Sequence, residues 1–186
     1  MRIISGKFKG REIFMPKDKI TRPIKDMMKE SIFNTLEHSN KFKNGLTDKK
    51  ILDIFSGTGS FGLECISRGA SNVVFIENYK PALEILKKNI NNFKIGSQCI
   101  IFDEDVLKIN SDLLKKFKFD IIFLDPPYKI ENIENVTNFI YCSNILKNNG
   151  ILLIHRNKKS IDDLKGFEEI DTKIYGISKI LILKLG

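Results

Sequence analysis

The stretch that decides the fold is Phe119-Asp120-Ile121-Ile122-Phe123-Leu124-Asp125-Pro126-Pro127-Tyr128. Its first six residues are mostly apolar and of strand-forming type, which is typical of a central strand in a sheet covered on both faces. The prolines end the strand because they have no N–H to donate. The tetrad Asp125–Tyr128 therefore follows the carboxyl end of a buried strand, where open α/β sheets bind their ligands. Taken alone, it fits equally well a Pro-Pro turn with a tyrosine packed beside it.

Segments typical of strands alternate with segments typical of helices on both sides of this stretch. The predicted strands are residues 51–55, 73–76, 99–102, 119–124 and 151–155, and the predicted helices are residues 61–68, 81–91 and 132–146. This alternation predicts an α/β fold with a mostly parallel, doubly wound sheet. Two more strand-like segments, 168–175 and 179–185, are separated by a three-residue turn. They predict an antiparallel hairpin that completes a seven-stranded sheet.

The first 45 residues follow a different pattern. Apolar and basic residues alternate from Arg2 to Phe14 around two glycines, which predicts a short hairpin with one charged face. Thr21 is a suitable N-cap for a helix from Pro23 to Leu36, and a linker follows it. We therefore divide the chain into a small basic extension, residues 1–45, and a main domain, residues 46–186.

The net charge of +8 is concentrated in this first part of the chain. Residues 1–50 contain 13 Lys and Arg residues against 6 Asp and Glu residues, whereas the remaining residues contain 18 against 17. A concentrated basic segment favours a polyanionic partner, most readily a nucleic acid. No apolar run reaches the ~20 residues that a membrane span needs, and the first residues do not form the apolar centre of a signal peptide. We therefore expect a cytoplasmic protein without a membrane partner.

The chain offers few residues for a metal site or a disulfide. Cys65, Cys99 and Cys142 are odd in number, widely spaced and set among apolar neighbours, and there are only two histidines. Such cysteines are typical of small core residues. We expect neither a bound metal nor a disulfide.

A glycine-rich turn follows the first predicted strand of the main domain, at residues 57–62. Glycines there let a ligand approach the backbone, and their spacing also matches the dinucleotide fingerprint of NAD enzymes. Glu77, at the end of the next strand, fits recognition of ribose hydroxyls for either ligand. Asp53 separates the alternatives, because a buried carboxylate just before the turn favours a cationic group over a pyrophosphate. S-adenosylmethionine provides such groups, an ammonium and a sulfonium.

These residues resemble two motifs of a known class. Leu52 to Gly59 is similar to the first motif of the Rossmann-like class I S-adenosylmethionine-dependent methyltransferases, and Asp125–Tyr128 is similar to the fourth motif of those that methylate exocyclic amines. The resemblance implies S-adenosylmethionine as the cofactor. It places the methionine part against the backbone of Phe55, Gly57 and Gly59, and the ribose at Glu77 and Asn78. The adenine is placed at Asp105 and the backbone of Val106, with Asp103 or Glu104 as alternatives to Asp105.

The tetrad has the chemistry that an amine methyltransferase needs. The lone pair of an exocyclic amine is delocalised into its base, so the amine is a poor nucleophile. If the Asp125 carboxylate and the Pro126 carbonyl each accept one N–H, the nitrogen becomes more tetrahedral and its lone pair can face the methyl group. Pro127 stiffens the turn, and Tyr128 would stack on the base, a contact worth ~1–3 kcal/mol in single-stranded complexes.

The N-terminal segment adds a second resemblance. Arg2 to Arg11 and Thr21 to Asn34 are similar to signatures of the bacterial RsmD family of small-subunit (16S) ribosomal RNA guanine-N2 methyltransferases. This implies one guanine target in ribosomal RNA, presented on the small subunit or on a late assembly intermediate. It also implies RNA contacts from the basic residues Arg2, Lys7, Lys9, Arg11 and Arg22.

Two positions depart from the family pattern, since Ile24 and Met27 stand where its members commonly have threonine and arginine. Three other functions stay open. A protein-glutamine methyltransferase resembles the chain less, since its tetrad begins with asparagine. A DNA adenine-N6 or cytosine-N4 methyltransferase has the same tetrad, although such enzymes usually carry a target-recognition insertion. An RNA-binding assembly factor would keep the fold without catalysis.

Overall fold

The computed structural model describes residues 1–18, 24, 26–37, 45–127, 130 and 133–186. Its strands are β1 (Lys50–Ile54), β2 (Asn72–Ile76), β3 (Cys99–Phe102), β4 (Phe119–Leu124), β5 (Leu146–Asn157), β6 (Phe167–Tyr175) and β7 (Ser178–Leu185). Its helices are α1 (Asp26–Glu37), α2 (Ser60–Ser67), α3 (Lys80–Phe93), α4 (Ser111–Lys115) and α5 (Glu134–Cys142). The predicted alternation of strands and helices is confirmed.

The seven strands form one sheet in the order β3-β2-β1-β4-β5-β7-β6. Strands β1 to β5 are parallel, whereas β7 is antiparallel to both β5 and β6. The predicted α/β fold with a C-terminal antiparallel hairpin is therefore confirmed. The strand order reverses between β1 and β4, and at such a point a ligand crevice forms beyond the strand ends. We call the side where β1 to β5 end the carboxyl edge, and the opposite side the amino edge.

Apolar side chains cover both faces of the sheet. Ile121 and Phe123 of β4 belong to the core beneath α1, α2 and α3, and the alternate residues Ile122 and Leu124 belong to the core beneath α4 and α5. Phe61 of α2 stacks on Phe123 with a ring-centroid distance of 4.1 Å. Burial of one such side chain contributes roughly 1.5–3 kcal/mol. The near-continuous apolar run of β4 is thus explained by burial on both faces.

Some boundaries differ from the predictions. The predicted cap Thr21 and the helix start Pro23 lie outside the described residues, and α1 is described from Asp26. Helix α4 was missed because it has only five residues, held at its start by the Asn110 side chain. Helix α5 ends earlier than predicted. Asn144 has a φ of 48°, and the chain turns there into the longer strand β5.

Residues 1–16, here called the N-terminal loop, form less strand than predicted. The hairpin is reduced to one antiparallel bridge between Arg2 and Glu12. The reason is that neighbouring N–H groups bond elsewhere: those of Ile4 and Ser5 both donate to the buried carboxylate of Glu64, at 2.8 and 2.9 Å. The loop therefore packs on α2 and does not extend as an arm.

The cysteine prediction is partly wrong. Cys65 is buried in the core as expected, but Cys142 is exposed at the last residue of α5, and all three cysteines are free thiols. Its neighbour Tyr141 is also exposed, whereas Ile140 is buried, so the apolar character of this stretch did not indicate burial of each residue. Among the helices of the described ranges, none is both long and apolar enough to cross a membrane.

Candidate active site

The turn between β1 and α2 has the backbone that its glycines predicted. Phe55, Gly57 and Gly59 all have positive φ, at 59°, 56° and 80°. A Cβ atom on Gly59 would lie 2.4 Å from Leu86 Cδ1, so only glycine fits between the turn and α3. Helix α2 begins directly after Gly59 and points its free N–H groups at the carboxyl edge. We call the backbone of this turn, from Phe55 to Gly59, the cradle.

Asp53 lies below this cradle and is almost completely buried. Its Oδ2 accepts a hydrogen bond from the Gly62 N–H at 3.0 Å, in the first turn of α2. Burial raises the pKa of Asp53 well above its usual range, the charges of Asp125 and Glu77 raise it further, and the Gly62 hydrogen bond opposes them. Three carboxyl groups therefore act on one another beside the turn. A cation bound there would relieve their repulsion.

Glu77 joins the ends of β1 and β2. Its buried carboxylate accepts hydrogen bonds from Gly57 N–H and from Tyr79 N–H, both at 2.7 Å. The adjacent Asn78 is exposed. This arrangement places an anionic acceptor directly against the glycine turn, as predicted for a residue that binds ribose hydroxyls.

The acidic residues after β3 have separate surroundings. Asp103 forms an exposed ion pair with Lys80, with an N–O distance of 2.6 Å, and Glu104 is exposed. Asp105 accepts a hydrogen bond from Leu107 N–H at 3.0 Å and so caps a short 3-10 turn that begins at the buried Val106. Asp105 and the Val106 backbone thus lie together at the carboxyl edge, while Asp103 has a lysine partner.

Asp125 lies immediately beyond β4, next to β1, and its N–H donates to Ile54 O at 3.3 Å. About a quarter of its side chain is exposed (24%). The chain then turns back, with Ile130 N–H donating to Pro127 O at 2.9 Å. Arg156 holds this turn by donating from Nη1 to Ile130 O, also at 2.9 Å. Tyr128 lies outside the described residues.

Sequence reasoning missed the contact between His155 and Asp125. The Nδ1 atom of His155 lies 2.7 Å from Asp125 Oδ1, and only 10% of the histidine side chain is exposed. A signal was present, since His155 is a polar residue that ends the apolar run of the strand beside β4. From the sequence, this histidine had suggested a role only as a metal ligand. In the described part of the chain, no group of three His, Cys, Asp or Glu side chains could hold a metal ion.

The predicted RNA-contacting residues are only partly brought together. Lys7 Nζ and the Arg11 guanidinium both lie against the Phe8 ring, at 4.8 and 5.2 Å from its centre, whereas Arg2 lies elsewhere. The Arg2 carbonyl accepts a hydrogen bond from Lys29 Nζ near the start of α2, so Arg2 lies toward the carboxyl edge. Lys7 N–H donates to Ser67 O at the end of α2, and the Arg11 guanidinium lies 4.5 Å from the ring centre of Phe93 at the end of α3. Both helices end at the amino edge. Lys9 is exposed, and Arg22 lies outside the described residues.

The cradle and its acidic residues fit S-adenosylmethionine. The positive φ angles of the turn and the carboxyl groups of Asp53, Glu77 and Asp125 suit a ligand that carries positive charge and ribose hydroxyls. A pyrophosphate would face the same carboxylates with like charge, which is unfavourable. The fold and this site define a class I S-adenosylmethionine-dependent methyltransferase.

Comparison with known proteins agrees with this class. The Escherichia coli protein yhhF has the same fold, with a TM-score of 0.82 at 22% identity over 100% of this chain and 97% of that one. The structure of SMU.776, complexed with SAH, has a TM-score of 0.59 at 16% identity over 84% of this chain and 49% of that one. The Haemophilus influenzae "Ribosomal RNA small subunit methyltransferase D" is 31% identical over 85% of this chain and 79% of its own length. The model of a family described as "Conserved hypothetical protein 95" matches residues 1–184. The chain therefore belongs to this family, which is the RsmD family that its sequence resembles.

Proposed function

We propose that this protein transfers a methyl group from S-adenosylmethionine to the exocyclic N2 amine of one guanine in small-subunit ribosomal RNA. The observation that carries the proposal is the position of Asp125: its partly exposed carboxylate lies beyond β4, electrostatically close to the buried Asp53 below the cofactor cradle. Ribosomal RNA as the polymer is supported by the names of relatives that are similar over most of the chain. The guanine N2 atom follows from the family resemblance of the motifs.

The cofactor is held, in this proposal, by the residues that the sequence predicted. The backbone of Phe55, Gly57 and Gly59 takes the methionine part, Glu77 and Asn78 take the ribose, and Asp105 with Val106 takes the adenine edge. When bound, S-adenosylmethionine supplies a methyl group on a positively charged sulfur. The Asp53 carboxylate balances the nearby positive charge. It also fixes the start of α2 by accepting a hydrogen bond from Gly62 N–H.

The amine is oriented by the tetrad. Asp125 and the Pro126 carbonyl each accept one N–H from the amine, Pro127 limits the turn, and Tyr128 stacks on the base. Because the methyl group is already activated by the charge on sulfur, alignment of the nitrogen contributes more than strong basicity would. Asp125 then takes the proton that the methylated nitrogen releases. A base in structured RNA must be unstacked to reach this pocket.

The RNA partner is bound by the basic extension, residues 1–45, within the small subunit or a late assembly intermediate. Its substrate contacts are proposed at Arg2, Lys9 and Arg22, and at Lys7 and Arg11. The last two lie at the amino edge, so they reach only RNA that extends around the protein from the pocket. The main domain, residues 46–186, performs the chemistry.

Mass spectrometry of nucleosides tests this proposal. Ribosomal RNA from a strain that lacks the gene should lose one N2-methylguanosine, and the gene restored in trans should return it. Unchanged ribosomal RNA together with loss of N6-methyladenine or N4-methylcytosine from DNA would replace the proposal with a DNA methyltransferase. Unchanged nucleosides in both polymers would favour an assembly factor without catalysis.

A further inference from the structure

His155 is placed beside Asp125 by the sheet itself. Leu124 of β4 pairs with Ile154 of β5 in the parallel register, so Asp125 and His155 are the next residues along two neighbouring strands. Neighbouring strands lie about 4.8 Å apart, and side chains at matching positions point to the same face. The 2.7 Å contact between His155 Nδ1 and Asp125 Oδ1 therefore follows from backbone register and not from a chance rotamer.

The contact uses one oxygen of the carboxylate, and the described residues give the other oxygen no hydrogen bond. Asp125 is 24% exposed and His155 only 10%, so the carboxylate is the more accessible of the two groups. Pro126 and His155 border a cleft of about 320 Å³ whose lining does not include Asp125, a volume within the usual size of small-molecule sites. A carboxylate that is only an acceptor needs a donor to fix it, and an N–H on Nδ1 supplies one.

We propose that His155 is a positioning residue for methyl transfer: its Nδ1–H donates to Asp125 Oδ1 and fixes the carboxylate so that Oδ2 accepts a hydrogen bond from the substrate amine. This inference rests on the proposed function for its effect on rate, but the hydrogen bond exists in the resting protein. Nδ1 must then carry a proton. No bond to His155 is made or broken during transfer, and the proton released by the amine goes to Asp125.

Three substitutions separate this role from simple packing. In His155→Asn the amide nitrogen takes the place of Nδ1, in His155→Gln it lies one bond further out, and His155→Leu has no donor. Single-turnover rates are measured with tritiated S-adenosylmethionine and small ribosomal subunits from a strain lacking the gene. We expect the rate to fall roughly 10- to 100-fold in the leucine and glutamine variants, the range for a hydrogen bond to a charged group. The asparagine variant should stay within about threefold of the parent.

Binding measurements accompany the rates. The Kd for S-adenosylmethionine by calorimetry and the Kd for the subunits should change by less than about twofold in all three variants, because His155 acts through Asp125 and not on the cofactor. A leucine variant with the parental rate would overturn the inference. So would an asparagine variant as slow as the leucine variant at equal thermal stability.

A second measurement needs no turnover. The chain has only two histidines, so a His38→Gln variant assigns the imidazole signals of ¹⁵N-labelled protein. His155 should be in the Nδ1–H tautomer, and Asp125→Ala should shift its Nδ1 resonance. An Nε2–H tautomer that does not respond to Asp125→Ala would overturn the inference whatever the methyl acceptor is. If the parent protein shows the Nδ1–H tautomer but methylates no guanine, the proposed function fails and the hydrogen bond stands.

Discussion

The carboxyl edge of the sheet and the N-terminal loop carry opposite charges and are built in opposite ways. At the edge, Asp53, Glu77 and Asp125 come from the ends of three adjacent strands and act on one small volume. In the loop, basic residues close together in sequence are spread from the carboxyl edge to the amino edge. Arg2 lies near the start of α2, and Lys7 binds at its end.

The difference shows that strand ends concentrate side chains and a packed loop disperses them. At the glycine-rich turn and the start of α2, the loop is attached through groups that carry no charge. Thr58 and Ser60 of the cofactor turn contact the sulfur atoms of Met15 and Met1 at 3.8 and 3.3 Å. The Asn89 side chain also joins Thr58 O to the Phe14 backbone. The N-terminal loop therefore packs against the turn that we propose to hold the cofactor, and it is also a candidate RNA surface.

The largest effect is expected at the acidic edge, in an Asp125→Ala variant. Loss of the carboxylate removes one acceptor for the amine and the acceptor of its proton, so the rate of methyl transfer should fall by roughly 10²- to 10⁴-fold. Single-turnover assays measure this rate, and calorimetry should show cofactor affinity within about threefold of the parent. Asp112→Ala, an exposed carboxylate on α4, is the control and should keep the parental rate. A rate near that of the parent in Asp125→Ala would remove this carboxylate from the mechanism.

The next effect concerns how the loop is held. Glu64 is fully buried and faces Lys29, which is also fully buried, and Arg68, with N–O distances of 3.6 and 2.9 Å. Glu64→Gln leaves both cations without their buried counter-charge and should lower the free energy of unfolding by roughly 3–5 kcal/mol. Urea unfolding measures this change.

The matched control is Glu168→Gln, which breaks an exposed pair with Lys184 and should leave the free energy of unfolding almost unchanged. Trypsin should also cut the N-terminal loop faster in Glu64→Gln, because the Ile4 and Ser5 N–H groups lose their charged acceptor. Equal stability losses in the two variants would show that Glu64 does not hold the loop.

These two regions also separate what sequence reasoning could and could not predict. Asp53, Glu77 and Asp125 follow strands, and the alternation of strands and helices already places strand ends at one edge. The loop residues Lys7 and Arg11 depend on packing against Ser67 and Phe93, about 60 and 80 residues away in sequence. No local pattern encodes such contacts. The contact of His155 with Asp125 lies between these cases, because it needs the strand order and register but no tertiary detail.

Asp53→Asn should have an intermediate effect with opposite signs for stability and binding. The pKa of Asp53 is raised in the folded state, so above its unfolded pKa the folded protein binds more protons than the unfolded chain, and stability falls as the pH rises toward the folded value. The Asp53→Asn variant has no carboxyl group at this position, so its stability does not fall with rising pH for this reason. Without cofactor it should therefore gain stability relative to the parent as the pH is raised from 4 to 8, as measured by thermal unfolding.

Cofactor binding should change in the other direction for the same residue. An amide cannot balance the positive charge of S-adenosylmethionine, so its Kd should rise by roughly 10- to 100-fold at neutral pH, the range for a hydrogen bond to a charged group. Calorimetry measures this constant. A variant that binds the cofactor as tightly as the parent would show that Asp53 serves only to fix Gly62 at the start of α2.

The smallest effects should distinguish two basic residues of the N-terminal loop. The guanidinium of Arg11 lies against Phe8 and Phe93 and donates to Asn92 O at 2.7 Å, whereas Lys9 is exposed. Arg11→Lys should therefore lower the free energy of unfolding by about 0.5–1 kcal/mol, with little change in RNA binding. Lys9→Gln should leave stability unchanged and reduce the slope of log K against log salt for RNA binding by about 0.7–0.9. Filter binding at several salt concentrations measures the slope. The reverse pattern, with a reduced slope in a charge-removing Arg11→Gln variant and not in Lys9→Gln, would assign the RNA contact to the residue that packs at the amino edge and would extend the RNA path across the whole sheet.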